Sequence, residues 1–149
     1  MLLGHLAIPT ILREYFDLEA IPLYVGSFFP DLVDKTLEEV GWLPNGRNIA
    51  HTLFTLAVTT VWVERIGGKA SAISWAIGYL GHLVCDVSGL VPWLYPFVAY
   101  EFKTPRSRPF LQKVKRAITH AGPLEWALVV WAVVLVSGRV WRGRKNTYI

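Results

Sequence analysis

The four longest stretches of this 149-residue chain without a charged residue, counting histidine as uncharged, are 48–63, 70–85, 87–100 and 126–138. Each falls short of the ~20 residues that carry a helix across a bilayer. Extended through their flanks they predict helices over 48–65, 70–88 and 121–139, and the polar residues drawn in suit a bundle interior rather than lipid. Hydrophobic residues make up 53% of the sequence against 17% charged, more apolar than a soluble domain of this size needs. The expected fold is all-α: an integral membrane helical bundle of about five helices, in one domain covering residues 1–149.

Two shorter helices, 2–16 and 20–30, are predicted ahead of these, separated by Asp17-Leu18-Glu19, with Pro9 a candidate kink. Residues 31–47 read as a loop holding one short helix, because Asp31, Asp34, Lys35, Glu38, Glu39, Pro44, Asn45 and Gly46 supply turn chemistry. Residues 87–100, where Gly89, Pro92 and Pro96 fall among Trp93, Tyr95, Phe97 and Tyr100, read as an interfacial or re-entrant aromatic segment. Phe110, Leu111, Val114, Ala117 and Ile118 recur at helical spacing inside a basic segment, 102–120, expected to lie on the membrane surface. A second basic stretch, 140–149, forms the tail.

Charge is divided unevenly: residues 1–101 hold 5 Lys/Arg and 10 Asp/Glu, and residues 102–149 hold 10 and 1. Because the basic residues adjoin apolar segments and match no nucleic-acid motif, the partners expected are membrane lipids, and no nucleic acid. The single cysteine, Cys85, excludes an intrachain disulfide and is assigned to packing. No basic segment precedes Leu2, Leu3 and Gly4, so the first helix is expected to remain in the mature chain.

Helix geometry then brings five polar residues together. Gly67-Gly68 makes a short turn, so helices 48–65 and 70–88 run antiparallel. At ~1.5 Å per residue His51 lies about 25 Å from that turn, and His82 and Asp86 lie about 22 and 28 Å from it. Counted from the break near residue 18, His5 lies about 20 Å back and Asp31 about 19 Å forward. No span separates Asp31 from His51, so all five share one end of the bundle. An unpartnered carboxylate or imidazole in an apolar interior costs several kcal/mol, and one cation satisfies the whole set. His5, Asp31, His51, His82 and Asp86 are the candidate ligands of a divalent metal, zinc first, one or two ions.

The residues Gly78-Tyr79-Leu80-Gly81-His82-Leu83-Val84-Cys85-Asp86, Val91-Pro92-Trp93-Leu94-Tyr95-Pro96, Gly4-His5, Gly26-Ser27-Phe28-Phe29-Pro30-Asp31 and Arg47-Asn48-Ile49-Ala50-His51-Thr52 resemble, in order and spacing, the membrane-bound metal-dependent hydrolase family. The resemblance covers residues 4–109 and implies an inner-membrane protein, distantly like zinc-dependent phospholipase C. Two departures stand out. Asp34 follows Asp31 by three residues with Lys35 after it, where the pattern has a spacing of two followed by histidine. Gly46 replaces a histidine before Arg47.

The function expected is hydrolysis of a phosphoester or lipid near one membrane face, with Arg47 and Asp34 as the candidate catalytic residues. The alternative is a non-catalytic membrane module with a structural metal site or a partner-recruiting basic segment. Six cations before the last helix against four after it place the site end on the cytoplasmic side. His120 is a further possible ligand, Gly78 and Gly81 are expected at close helix contacts, and Trp126 and Trp131 are expected to face lipid.

Overall fold

The computed structural model describes residues 3–87, 91–102, 112, 115, 119 and 121–146, the last five by backbone alone. Four helices are present: α1 (Gly4–Tyr15), α2 (Ala20–Glu39), α3 (Leu53–Cys85) and α4 (Pro123–Asn146). No strand occurs among the described residues. The class is all-α as expected, and the bounds of four helices fall among the described residues. Helix α3 is folded into two arms at Gly68, whose φ of 81° lies in the left-handed region that favours glycine. The arms return on one another: Trp75 Nε1 donates to Thr59 Oγ1 at 3.1 Å, and Val63, Trp75, Tyr79 and Leu83 form one core cluster.

Several boundaries differ from the sequence expectation. Helix α2 does not end near residue 30 but continues to Glu39, so most of the expected 31–47 loop is helical. Its buried residues Leu23, Gly26, Ser27, Pro30 and Asp34 follow one helical face, and burying that face outweighs the turn propensity of the polar residues beyond it. Residues 48–52 form turns and bends rather than helix, because Thr52 caps α3 by accepting the Thr55 N–H at 3.0 Å. Residues 91–102 are non-helical, with Val91 and Pro92 buried and the Trp93 carbonyl accepting the Leu53 N–H at 3.0 Å. Helix α4 continues beyond residue 139 into the basic tail. Residues 88–90, the amphipathic pattern at 110–118, most of the 102–120 segment and His120 lie outside the described residues.

Glycine sets the approach of α2 to the second arm of α3. A Cβ on Gly78 would stand 2.0 Å from the Leu23 carbonyl oxygen, and one on Gly26 would stand 2.5 Å from that of Trp75. Gly81, expected in the same role, would meet only the Ile8 side chain, at 3.4 Å. Helix α1 joins this pair through its own proline. Pro9 has no N–H to offer the His5 carbonyl one turn back, and the Ser27 hydroxyl of α2 donates to that carbonyl at 2.8 Å.

Helix α4 packs only on α1 among the described helices and runs parallel to it. The buried Glu125 accepts the Leu3 and Gly4 N–H groups at 3.0 and 3.3 Å, capping an α1 that has no side-chain cap of its own. Arg139 pairs with Glu14 at 3.0 Å at the other end. The exterior is apolar, with Ile21, Val58, Val61, Trp62, Ile66, Val133, Val134 and Trp126 all exposed. Trp131, also exposed, lies edge-on to Tyr15. Among the described residues one helix, over Pro123–Trp141, is long and apolar enough to cross a membrane.

Replacing Gly78 by alanine should lower stability by about 3 kcal/mol, because a backbone carbonyl cannot yield to the new methyl as a side chain could. Gly81→Ala should be nearly neutral. Thermal unfolding of both variants in detergent measures the difference, and equal melting temperatures would remove the close contact from the account.

Candidate metal centre

The site rests on a buried aspartate that does not itself face the cluster. Asp34, fully buried on α2, accepts the Asn48 N–H at 2.5 Å and the Ala50 N–H at 3.0 Å, which fixes the turn before α3. The buried Tyr79 hydroxyl donates to the Ala50 carbonyl of the same turn. With the turn held, Asp34 Oδ2 also receives His51 Nδ1 at 2.8 Å. On the opposite side His82 Nδ1 stands 2.7 Å from the Ser27 carbonyl. A carbonyl oxygen only accepts, so His82 carries its proton on Nδ1.

Both rings therefore use Nδ1 as a donor, and in the neutral form each leaves a lone pair on Nε2. These two nitrogens face each other at 3.2 Å. Two carboxylates close around them. Asp31 Oδ1 lies 3.6 Å from His51 Nε2 and 3.9 Å from His82 Nε2, and Asp86 Oδ2 lies 3.7 and 4.0 Å from the same atoms. Asp31 Oδ1 is buried and has no hydrogen-bond partner. Two ligand atoms each ~2.1 Å from one tetrahedral ion stand about 3.4 Å apart, so these separations fit the edges of a slightly expanded coordination tetrahedron. Asp31, His51, His82 and Asp86 form a group that could hold a metal ion, with their ligand atoms all within 4.8 Å of one another.

The remaining expected site residues lie around this group. His5 is buried and stacks on His82 with ring centroids 4.0 Å apart; its Nε2 is 3.5 Å from Asp86 Oδ1. Its Nδ1 has no hydrogen-bond partner. Arg47 donates from Nε to Asp86 Oδ2 at 2.8 Å. Asp34, expected in the catalytic set, sits behind His51 with its oxygens committed to that ring and to the 48–50 backbone. Its contact was missed because 31–47 reads as a loop; the signal that could have found it is the helical recurrence of Leu23, Ser27, Pro30 and Asp34. Lys35, 2.5 Å from Asp31 Oδ2, was likewise not singled out, although its i,i+4 spacing from Asp31 carries the pairing.

Burial works against protonation of His51, but Asp31 and Asp34 outweigh it, so its pKa lies above the ordinary value of 6.5. In the metal-free protein a proton can occupy the same Nε2 position that a cation would take.

An apolar exterior around a buried imidazole and carboxylate cluster defines a class: a helical membrane protein with a candidate metal centre at one end of its bundle. The chain belongs to the YdjM inner membrane protein family, whose model matches residues 1–146. No curated protein and no solved structure matches it significantly.

Metal affinity should fall as the pH drops through the raised His51 pKa, because proton and cation compete for one lone pair. Asp34→Asn should weaken affinity about 10–100-fold near neutral pH by freeing the ring. It should also move the acid loss to lower pH by removing the charge that favours the proton. Chelator competition across pH reads both, and an unchanged profile in the variant would contradict the orienting contact.

Proposed function

We propose that this protein is a membrane-bound metal-dependent hydrolase acting on a phosphoester or lipid substrate near one membrane face. The observation that carries the reading is the pair of lone-pair nitrogens of His51 and His82, 3.2 Å apart between two carboxylates in a buried setting. Imidazole with carboxylate in a four-atom cluster suits zinc first. Such an ion, when bound, supplies Lewis acidity, making water a nucleophile at neutral pH and polarising an ester oxygen.

The chain's own residues divide the remaining work. Asp34 orients His51 and acts through it. Arg47, anchored through Nε on Asp86 and 37% exposed along its side chain, stands where charge develops on a phosphoryl group entering from outside. His5 stays beside Asp86 Oδ1, as an added ligand or as a proton carrier to the leaving group. The family and the apolar exterior support a substrate whose polar group lies at the membrane surface.

One observation favours the rival reading, a non-catalytic membrane module. Four protein ligands complete a tetrahedron, which is the arrangement of closed structural sites, whereas catalytic sites keep a position open. Against closure stands the exposed edge of the cluster at Lys35 and Arg47.

Purified protein should carry at least one zinc-like ion per chain and cleave a phosphoester or phospholipid, and His82→Ala with Asp86→Ala should lose both. Retained metal in that double variant would defeat the site assignment, and metal without turnover in the wild type would favour the module.

The site end is proposed to face the cytoplasm. Because Glu125 holds the start of α4 at the start of α1, α4 begins at the site end, and six cations, between residues 103 and 116, precede it in the sequence. Cysteines introduced at positions 105 and 146 should differ, with only the latter labelled by an external impermeant reagent. The opposite pattern would reverse the orientation.

A further inference from the structure

Among the described residues two cations, Lys35 and Arg47, touch the cluster, and both stand at its open edge. Lys35 Nζ is 2.5 Å from Asp31 Oδ2, and Arg47 Nε is 2.8 Å from Asp86 Oδ2. Their side chains are 44% and 37% exposed, whereas those of His51 and His82 are at 0%. Each cation is thus tied to one candidate ligand carboxylate and also accessible from outside.

The two residues are also neighbours through the backbone. A Cβ on Gly46 would lie 3.0 Å from Lys35 Cγ and 3.7 Å from Lys35 Cα, so the turn that presents Arg47 lies directly on the Lys35 side chain. A long cation and a residue without a side chain meet here, and the second makes room for the first. Glu38 borders the same turn, its Oε2 2.8 Å from the Gly46 Cβ position.

From this placement we infer that Lys35 and Arg47 form a two-cation lip that binds the terminal phosphate of an anionic amphiphile, a phosphomonoester in preference to a phosphodiester. The inference rests on the metal-centre reading above and narrows its substrate class. Two cations and one metal ion offer three positive groups. A phosphomonoester presents three free oxygens and a charge near −2 at neutral pH. A phosphodiester has only two free oxygens and one charge, and a zwitterionic headgroup brings its own cation against Lys35 and Arg47. Arginine supplies a planar fork and lysine a mobile point charge, a pair suited to a tetrahedral oxyanion that approaches from outside.

The test is binding, measured on the full chain in detergent after loading with zinc. Calorimetric titration compares a single-chain lipid ending in a phosphomonoester with one of equal chain length whose phosphate is a glycerol diester. The monoester should bind at least about tenfold more tightly, the worth of one charge-assisted hydrogen bond. Lys35→Gln and Arg47→Gln should each weaken monoester binding about tenfold, and the double variant should lose the preference with its zinc content unchanged. If the double variant loses zinc, Lys35→Arg and Arg47→Lys take its place: retained monoester affinity supports the lip, and lost affinity with zinc intact overturns it. Equal affinity for the two lipids in the wild type, or an undiminished preference in the double glutamine variant, also overturns the lip. Selective monoester binding without turnover would leave the lip standing and remove the hydrolase reading instead.

Discussion

Two imidazole nitrogens facing each other without a hydrogen between them are electrostatically unfavourable in an apolar interior, and the fold goes to some length to hold them there. His82 cannot turn its proton inward, because the Ser27 carbonyl requires Nδ1 as donor. His51 is held in the matching state by Asp34, whose other bonds secure the turn on which His51 sits. The repulsion is relieved by a proton on His51 or by a cation between both rings. Those two occupants compete for one position, which couples the electrostatics of the site to metal binding.

That requirement reaches into each helix. Pro9 leaves the His5 carbonyl without its usual partner, and the Ser27 hydroxyl that satisfies it belongs to the residue whose carbonyl orders His82. One residue therefore joins α1, α2 and α3 at the level of the site. Gly26 and Gly78 let α2 and α3 approach closely enough for the Ser27 contact to form. Helix α4 stands outside this network and is bound to α1 by Glu125 at one end and Arg139 at the other. The molecule thus separates a closely packed α1–α3 unit, with the polar site inside it, from a helix of membrane-crossing length that contributes nothing to the site among the described residues.

Much of this was readable from residue spacing. The hairpin at Gly68 and the common level of His5, Asp31, His51, His82 and Asp86 follow from helix rise and short turns, which are local properties of the chain. The extent of α2 was not readable in the same way. Asp31 and Asp34 favour turns and, with Pro44, Asn45 and Gly46 close behind, give 31–47 the composition of a loop, although Lys35, Glu38 and Glu39 are good helix formers; burial of Pro30 and Asp34 against the rest of the bundle carries the helix through. The start of α3 likewise falls later than the apolar pattern predicts, at Leu53, because Thr52 caps it, a local contact that an apolar pattern does not register.

By itself, then, the sequence determined which side chains share a depth, because rise per residue and turn length require nothing beyond the backbone. What only the tertiary structure decided is the task of each group at that depth. Asp31 and Asp34 are the same residue type three positions apart on one helix. One turns an unpartnered oxygen toward the paired imidazoles, and the other lies behind them as the acceptor for His51. A carboxylate's role follows from which donors and charges reach it across helices, and those distances exist only once α2 and α3 are packed.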